Sequence, residues 1–288
     1  MLASSVLNDC YSKWPDARIS VVTSPFSSAL YEAFPALEEL KVVTKSKGSW
    51  RQSHWWKIWS WAVSTRWDLV IDMSSSMLSL CLFAKRRKTF RGVSGRHMVL
   101  QFTDFMQRSQ PLSPKIWYGQ NDANEALAML SSPGPYVVVA PFSNWGPKDW
   151  PIHCYVSLLN HAVFDGYTII LTGISRDAPV ANALQALVDQ INRPIINLFD
   201  WGHLRHMLPI FERSALFIGS DSGLMHLSAS TQCPTVGLFG PTDAVRYGPW
   251  RNTVIRAPGE KMDSLSAEVV VDHVKQLLPV QELSEDSV

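Results

Sequence analysis

The pentapeptide Gly219-Ser220-Asp221-Ser222-Gly223 stands between an apolar β-run at residues 216–219 and a helical pattern that opens at Leu224-Met225-His226. A strand, a tight turn and a helix start in that order leave the first backbone N–H groups of the helix without intrahelical partners, which suits a phosphate. Asp221 or Ser222 would cap the helix, and His226 in its first turn would donate to a phosphate or simply pack. The same residues also read as an ordinary capped turn that holds no ligand. Lys148 lies in the loop 141–151, after another strand of the same sheet. There its ammonium would act as a point charge on a diphosphate, or remain a solvated lysine. Two further loops open at strand ends, one at Thr172-Gly173 and one at Gly240-Pro241-Thr242-Asp243. No G-x-G-x-x-G and no P-loop sequence occurs, which argues against a dinucleotide oxidoreductase and a P-loop NTPase. No D-x-D offers the ligand pair of metal-dependent sugar transfer.

Those loops need strands to hold them. Short β-branched or apolar runs at residues 19–23, 69–73, 136–140, 168–171, 195–198, 216–219 and 235–239 alternate with helical patterns, the rhythm of an α/β protein with parallel sheets. Val137-Val138-Val139 and Ile169-Ile170-Leu171 are continuous apolar runs, as strands covered on both faces require. Ser131-Ser132-Pro133-Gly134-Pro135 separates a helical pattern at 124–130 from a new strand and marks the domain boundary. Two Rossmann-like domains are expected, at 1–130 and 134–278, followed by a flexible acidic tail at 279–288. In open parallel sheets ligands bind beyond the carboxyl ends of the strands, which is why these loops carry the functional reading.

With 288 residues, 46% hydrophobic and 18% charged, the chain has material for two cores and is not disordered as a whole. Its longest nearly uncharged apolar stretch, 77–84, is far short of the ~20 residues a spanning helix needs. The N-terminus lacks the basic start and apolar run of a secretory signal, and Cys10, Cys81, Cys154 and Cys233 are scattered singly. A cytoplasmic location is expected, with no disulfide and no structural metal. The net charge of +1 hides an asymmetry, because residues 1–130 hold 16 Lys+Arg against 10 Asp+Glu and residues 131–288 hold 10 against 15. The basic half suggests an anionic partner or membrane surface, or reflects chance scatter. Six of the twelve tryptophans (Trp50, Trp55, Trp56, Trp59, Trp61, Trp67) fall in one stretch with Lys45, Lys47, Arg51, Lys57 and Arg66. An interfacial face is one reading, and helical spacing favours core for most of them.

The run from Leu216 to Trp250, LFIGSDSGLMHLSASTQCPTVGLFGPTDAVRYGPW, resembles the nucleotide-sugar motif of the bacterial lipopolysaccharide heptosyltransferases, the ADP-heptose-using group of inverting GT-B glycosyltransferases. Residues 140–151 resemble the lysine loop of that family, and Trp14-Pro15-Asp16-Ala17 and Asp68-Leu69-Val70-Ile71-Asp72 more loosely resemble its N-terminal half. The resemblance implies a GT-B fold with two Rossmann-like domains facing across a cleft, the nucleotide sugar on the C-terminal domain and the acceptor on the N-terminal one. Asp221 and the backbone amides of Ser222, Gly223 and Leu224 would contact donor sugar and phosphates, and Lys148 would stabilise the departing diphosphate. His226 and Thr242 are secondary candidates, and Asp177 stands where the family has an acidic residue on the ribose. The family's opening strand and glycine-rich turn, which bear the general base, would align before Met1. By that alignment either the true start lies upstream of Met1, or this is an N-terminally shortened chain without its first strand and usual base, with Asp72 at another strand end as stand-in base or as a helix cap. Heptose transfer from ADP-heptose to an anionic lipopolysaccharide inner-core acceptor follows, without metal, cofactor or nucleic acid, and with peripheral contact to the inner membrane. A catalytically silent sugar-nucleotide-binding protein is the second reading. A third takes 219–223 as a nucleophile elbow of an α/β-hydrolase, with His273 as base.

Overall fold

The computed structural model describes residues 1–44, 53–131 and 134–278. Lys45, Lys47, Trp50, Arg51 and the tail at 279–288 lie outside the described residues. Two compact units divide the chain, Met1–Gly119 and Gln120–Val288.

The first unit opens with α1 (Ser4–Lys13), β1 (Ile19–Thr23), α2 (Pro25–Ser28) and β2 (Leu37–Val42). It continues with α3 (Ser53–Val63), β3 (Trp67–Asp72), a 3-10 turn at Met77–Cys81, β4 (Ala84–Thr89) and α4 (Met98–Met106). β1 pairs with β2 and β3 with β4, both in parallel, as two two-stranded sheets among the described residues. The sequence pattern missed β2 and β4, because Leu37–Val42 has charges within it and Ala84–Thr89 contains Lys85, Arg86, Arg87 and Lys88. Neither strand has a buried residue, and exposed positions include Glu38 and Val42 in β2 and Lys85, Arg86 and Arg87 in β4, so neither reads as a buried apolar run. The tryptophans divide as well: Trp59, Trp61 and Trp67 are half-buried, whereas Trp56 is 68% exposed.

The second unit starts one element earlier than the Ser131–Pro135 punctuation suggests. α5 (Gln120–Ala128) packs on α8 (Met207–Glu212), and its buried Asp122 accepts hydrogen bonds from Arg205 at 2.8 Å and His206 at 3.0 Å. His206 Nδ1 accepts from the His203 N–H, so the ring donates through Nε2 to that carboxylate. The boundary lies at Gly119, ahead of α5.

The remaining elements are β5 (Tyr136–Ala140), α6 (Ile152–Leu159), β6 (Thr168–Gly173), α7 (Ala178–Val188), β7 (Ile195–Phe199) and β8 (Ser214–Ser220). They are followed by α9 (Gly223–Ser228), β9 (Thr235–Phe239), α10 (Ala244–Tyr247), β10 (Thr253–Arg256) and α11 (Ala267–Leu277). The sheet is parallel throughout in the order β10-β9-β8-β5-β6-β7, so chain order reverses between β5 and β8. That is the doubly wound arrangement whose ligand crevice opens at the reversal, beyond the strand ends. β5 is buried at every residue, and Val137, Val139, Ile169, Leu171, Leu216 and Ile218 belong to one core. Gly219 sits on the seam, where a Cβ would come within 2.9 Å of both the Ala140 carbonyl and the Phe217 ring. The strand pair that frames the crevice therefore tolerates no side chain at that point.

Candidate functional site

The loops after β5 and β8 flank the sheet reversal, and they bring two sequence-predicted residues into contact. The Lys148 ammonium donates to the Asp221 carbonyl at 2.7 Å and lies 3.4 Å from its Oδ2. Both side chains are 13% exposed, so this charge pair is shielded but reachable. His226 Nε2 lies 3.8 Å from Asp221 Oδ1, which puts a cationic side chain, an acid and an imidazole in one cluster. Trp150 secures the far end of the lysine loop, fully buried and donating through Nε1 to the Leu265 carbonyl at 2.8 Å.

Ser222, rather than Asp221, is the N-cap of α9, its Oγ accepting the Met225 N–H at 3.3 Å. Asp221 is thereby left to Lys148 and His226. Gly223 and Leu224 lead the helix, where N–H groups have no intrahelical acceptor, and both are only half-buried. In the loop after β9, Asp243 caps α10 by accepting from Val245 N at 3.0 Å and Arg246 N at 3.1 Å. Beside it the Thr242 Oγ1 is buried with no hydrogen-bond partner. A buried hydroxyl in that condition is costly unless a ligand satisfies it.

Two expectations fare differently. Asp177 caps α7, its Oδ1 accepting the Val180 N–H at 3.0 Å, and its Oδ2 is 3.6 Å from Arg176 Nε. One oxygen is committed to the helix, which explains an acidic residue at this position without any ribose. Asp72 ends β3 in the first unit, with Oδ1 taking Ser74 N–H at 2.9 Å and Ser74 Oγ at 3.0 Å, and Oδ2 taking Ser76 Oγ at 3.2 Å. Burial opposes its ionisation, but the Ser74 backbone bond and the Ser79, Ser74 and Ser76 hydroxyls outweigh it and hold the carboxyl below its ordinary range. With both oxygens engaged by hydroxyls and an amide of its own turn, Asp72 has the geometry of a turn-holding carboxylate. The hydrolase reading fails on two counts. His273 lies half-buried on α11 with Nδ1 2.8 Å from the Val269 carbonyl of its own helix, and Asp221 is not among the described residues with left-handed backbone that a nucleophile elbow demands.

Sequence reasoning passed over two members of the site. Asp149, next to Lys148, accepts the Ser143 N–H at 2.6 Å, and Arg176 donates to Asp149 Oδ2 at 2.8 Å. The signal available in the sequence is the Ser-Arg-Asp run 175–177 after β6, where an arginine stands between two polar residues at a strand end.

The profile of glycosyltransferase family 9 (heptosyltransferase) matches residues 76–274, which is more than half the chain. The chain belongs to that family. Its α/β architecture is GT-B: it superposes on E. coli ADP-heptose lps heptosyltransferase II with TM-score 0.76 at 20% identity, covering 96% of this chain and 94% of that one. A family 9 glycosyl transferase from Veillonella parvula gives 0.82 at 18% identity, with 96% and 92% covered. E. coli heptosyltransferase WaaC with ADP gives 0.71 at 18% identity, with 96% and 95% covered. In sequence, lipopolysaccharide heptosyltransferase 3 of E. coli is 24% identical across 97% of this chain and 90% of its own length. Lipooligosaccharide heptosyltransferase 2 of Haemophilus influenzae is 31% identical, but the match spans 43% of this chain and only 36% of that protein. Among the described residues no helix is long and apolar enough to cross a membrane.

Proposed function

We propose that this glycosyltransferase moves a heptose from ADP-heptose to the inner-core oligosaccharide of lipopolysaccharide, with inversion at the anomeric carbon. The observation that carries the reading is the Lys148–Asp221 contact at the reversal of a doubly wound sheet, 2.7 Å from ammonium to carbonyl. A nucleoside diphosphate docked over the first turn of α9 would meet the Ser222, Gly223 and Leu224 amides. Lys148 would turn from the Asp221 carbonyl toward the phosphates, with Thr242 and His226 offering further hydrogen bonds. The acceptor hydroxyl oxygen attacks the anomeric carbon as the bond from that carbon to the diphosphate oxygen breaks. The electron pair leaves with ADP, and the proton of the acceptor hydroxyl passes to solvent water. Negative charge grows on the leaving diphosphate, and the Lys148 ammonium, once turned to the phosphates, stabilises it. Relatives named as lipopolysaccharide and lipooligosaccharide heptosyltransferases support the sugar and the acceptor class, and a related structure containing ADP supports the nucleotide.

The first unit is assigned the anionic acceptor, on the strength of its basic balance, and the reaction is placed at the cytoplasmic face of the inner membrane. The test is release of ADP from ADP-heptose in the presence of lipopolysaccharide core oligosaccharide. Turnover that depends on both substrates supports the reading, and absence of donor binding defeats it. A second reading, donor binding without turnover, is favoured by the engagement of both Asp72 oxygens within its own turn, and the same assay separates the two.

A further inference from the structure

We infer that Arg176 is a positioning residue that holds the lysine loop, through Asp149, at the geometry Lys148 needs; this rests on the role of Lys148 given above. The loop 141–151 crosses the strand ends with little regular structure, a single 3-10 turn at Gly146–Lys148. Its shape is set by few bonds. Asp149 Oδ1 closes the loop by accepting the Ser143 N–H at 2.6 Å, and Ser143 Oγ both donates to the Trp145 carbonyl at 2.9 Å and accepts the Trp145 N–H at 3.2 Å. The Lys148 N–H donates to that same Trp145 carbonyl at 3.0 Å. Arg176 reaches in from the loop between β6 and α7. One guanidinium nitrogen donates to the Ser143 carbonyl and the other to Asp149 Oδ2 at 2.8 Å.

The guanidinium thus grips both ends of the segment that carries Lys148, and it passes 3.8 Å from where a Cβ on Gly146 would be. Its planar fork suits two acceptors at once, which a lysine ammonium on a flexible stem does not reproduce. Asp177 Oδ2 lies 3.6 Å from Arg176 Nε, so two carboxylates flank one cation. Arg176 touches neither Asp221 nor Lys148 in any bond described here, and its effect on chemistry passes through the loop backbone. Displacement of a catalytic group by about 1 Å costs on the order of 10²-fold in rate.

The experiment compares Arg176→Ala, Arg176→Lys and Asp149→Asn, each in the parent chain and beside Lys148→Ala, by transfer kinetics and by amide hydrogen exchange of residues 143–149. Arg176→Ala is expected to lower kcat about 10- to 100-fold while the donor KM moves less than about 3-fold, with partial recovery in Arg176→Lys. Beside Lys148→Ala the same change is expected to add less than about 2-fold, because the residue acts through that lysine. An equal loss in both backgrounds overturns the inference. Exchange at the Lys148 and Asp149 amides is expected to rise in Arg176→Ala, and unchanged exchange overturns the clamp whether or not the chain turns over. Full activity of Lys148→Ala alone would instead defeat the role of Lys148, and the exchange result would still decide the clamp.

Discussion

Replacement of Lys148 by alanine separates the folding role of this side chain from its chemical one. In the fold the ammonium makes one charge-assisted bond to the Asp221 carbonyl at 2.7 Å and a longer one to its carboxylate at 3.4 Å. Loss of such a bond in a largely shielded site costs about 1.5–3 kcal/mol, offset in part because the lysine's own desolvation is also relieved. Asp221 then keeps the His226 imidazole as a neighbour, with Nε2 3.8 Å from Oδ1. The chemical cost is larger in kind. A unit charge about 4 Å from a phosphate contributes about 4 kcal/mol at an effective dielectric of 20, and the part that grows in the transition state is what catalysis uses. Removing one fixed donor to a developing anion typically costs ~10²–10³ in kcat. The expectation is a loss of that size in ADP release, with donor affinity reduced by less than the rate and a melting temperature lowered by only a few degrees. Continuous ADP detection under saturating donor, with parallel calorimetry, reads both. A variant that retains more than about a fifth of the parent rate would refute the leaving-group role.

Four other outcomes follow from the same geometry. Thr242→Val removes the buried hydroxyl that has no partner, so it is expected to be neutral or mildly stabilising by thermal melt and to weaken ADP-heptose binding several-fold by calorimetry. Asp72→Asn is expected to destabilise the fold by about 1–2 kcal/mol at neutral pH, measured by denaturant unfolding, while leaving the acidic limb of the rate profile in place. Because the folded pKa of Asp72 is depressed, its stabilisation is complete above the usual carboxylate pKa of about 4 and disappears as pH falls through the folded value, so parent and variant should converge in acid. Only Cys81 is exposed among the four cysteines, while burial pushes the Cys10 thiol up to about 11 and the Cys233 thiol up to about 12, so native thiol titration should show one fast group. Neutralising Lys85, Arg86 and Arg87 on exposed β4 is expected to raise the acceptor KM and flatten its salt dependence without changing donor affinity, which steady-state kinetics across ionic strength would reveal.

The second unit was the more legible half of the sequence because its strands are buried on both faces. Residues 136–140 and 235–239 are strands at the bounds their apolar runs indicate, and Asp221, Ser222 and Lys148 follow from strand ends alone. Strands with one wet face hide: Ala84–Thr89 presents four consecutive basic residues, and its pairing with Trp67–Asp72 is decided by tertiary contact rather than by local pattern. The domain boundary was misplaced for a related reason. Proline and glycine at 133–135 mark a turn, but what assigns α5 to the second unit is the buried Asp122, whose partners Arg205 and His206 lie more than eighty residues away. Long-range polar contacts of this sort carry no sequence period. The same holds for Arg176, which reads as a loop arginine until the fold carries it to Asp149.

The central claim is that a sugar nucleotide docks at the β5–β8 reversal of the second unit, beside Lys148 and the start of α9. Calorimetric titration of ADP-heptose into the parent chain, with hydrogen-exchange mapping of the complex, tests it most directly. The account expects saturable one-to-one binding with protection concentrated in the loops 141–151 and 219–224 and around Thr242. Binding with protection elsewhere, or no binding at all, would contradict it.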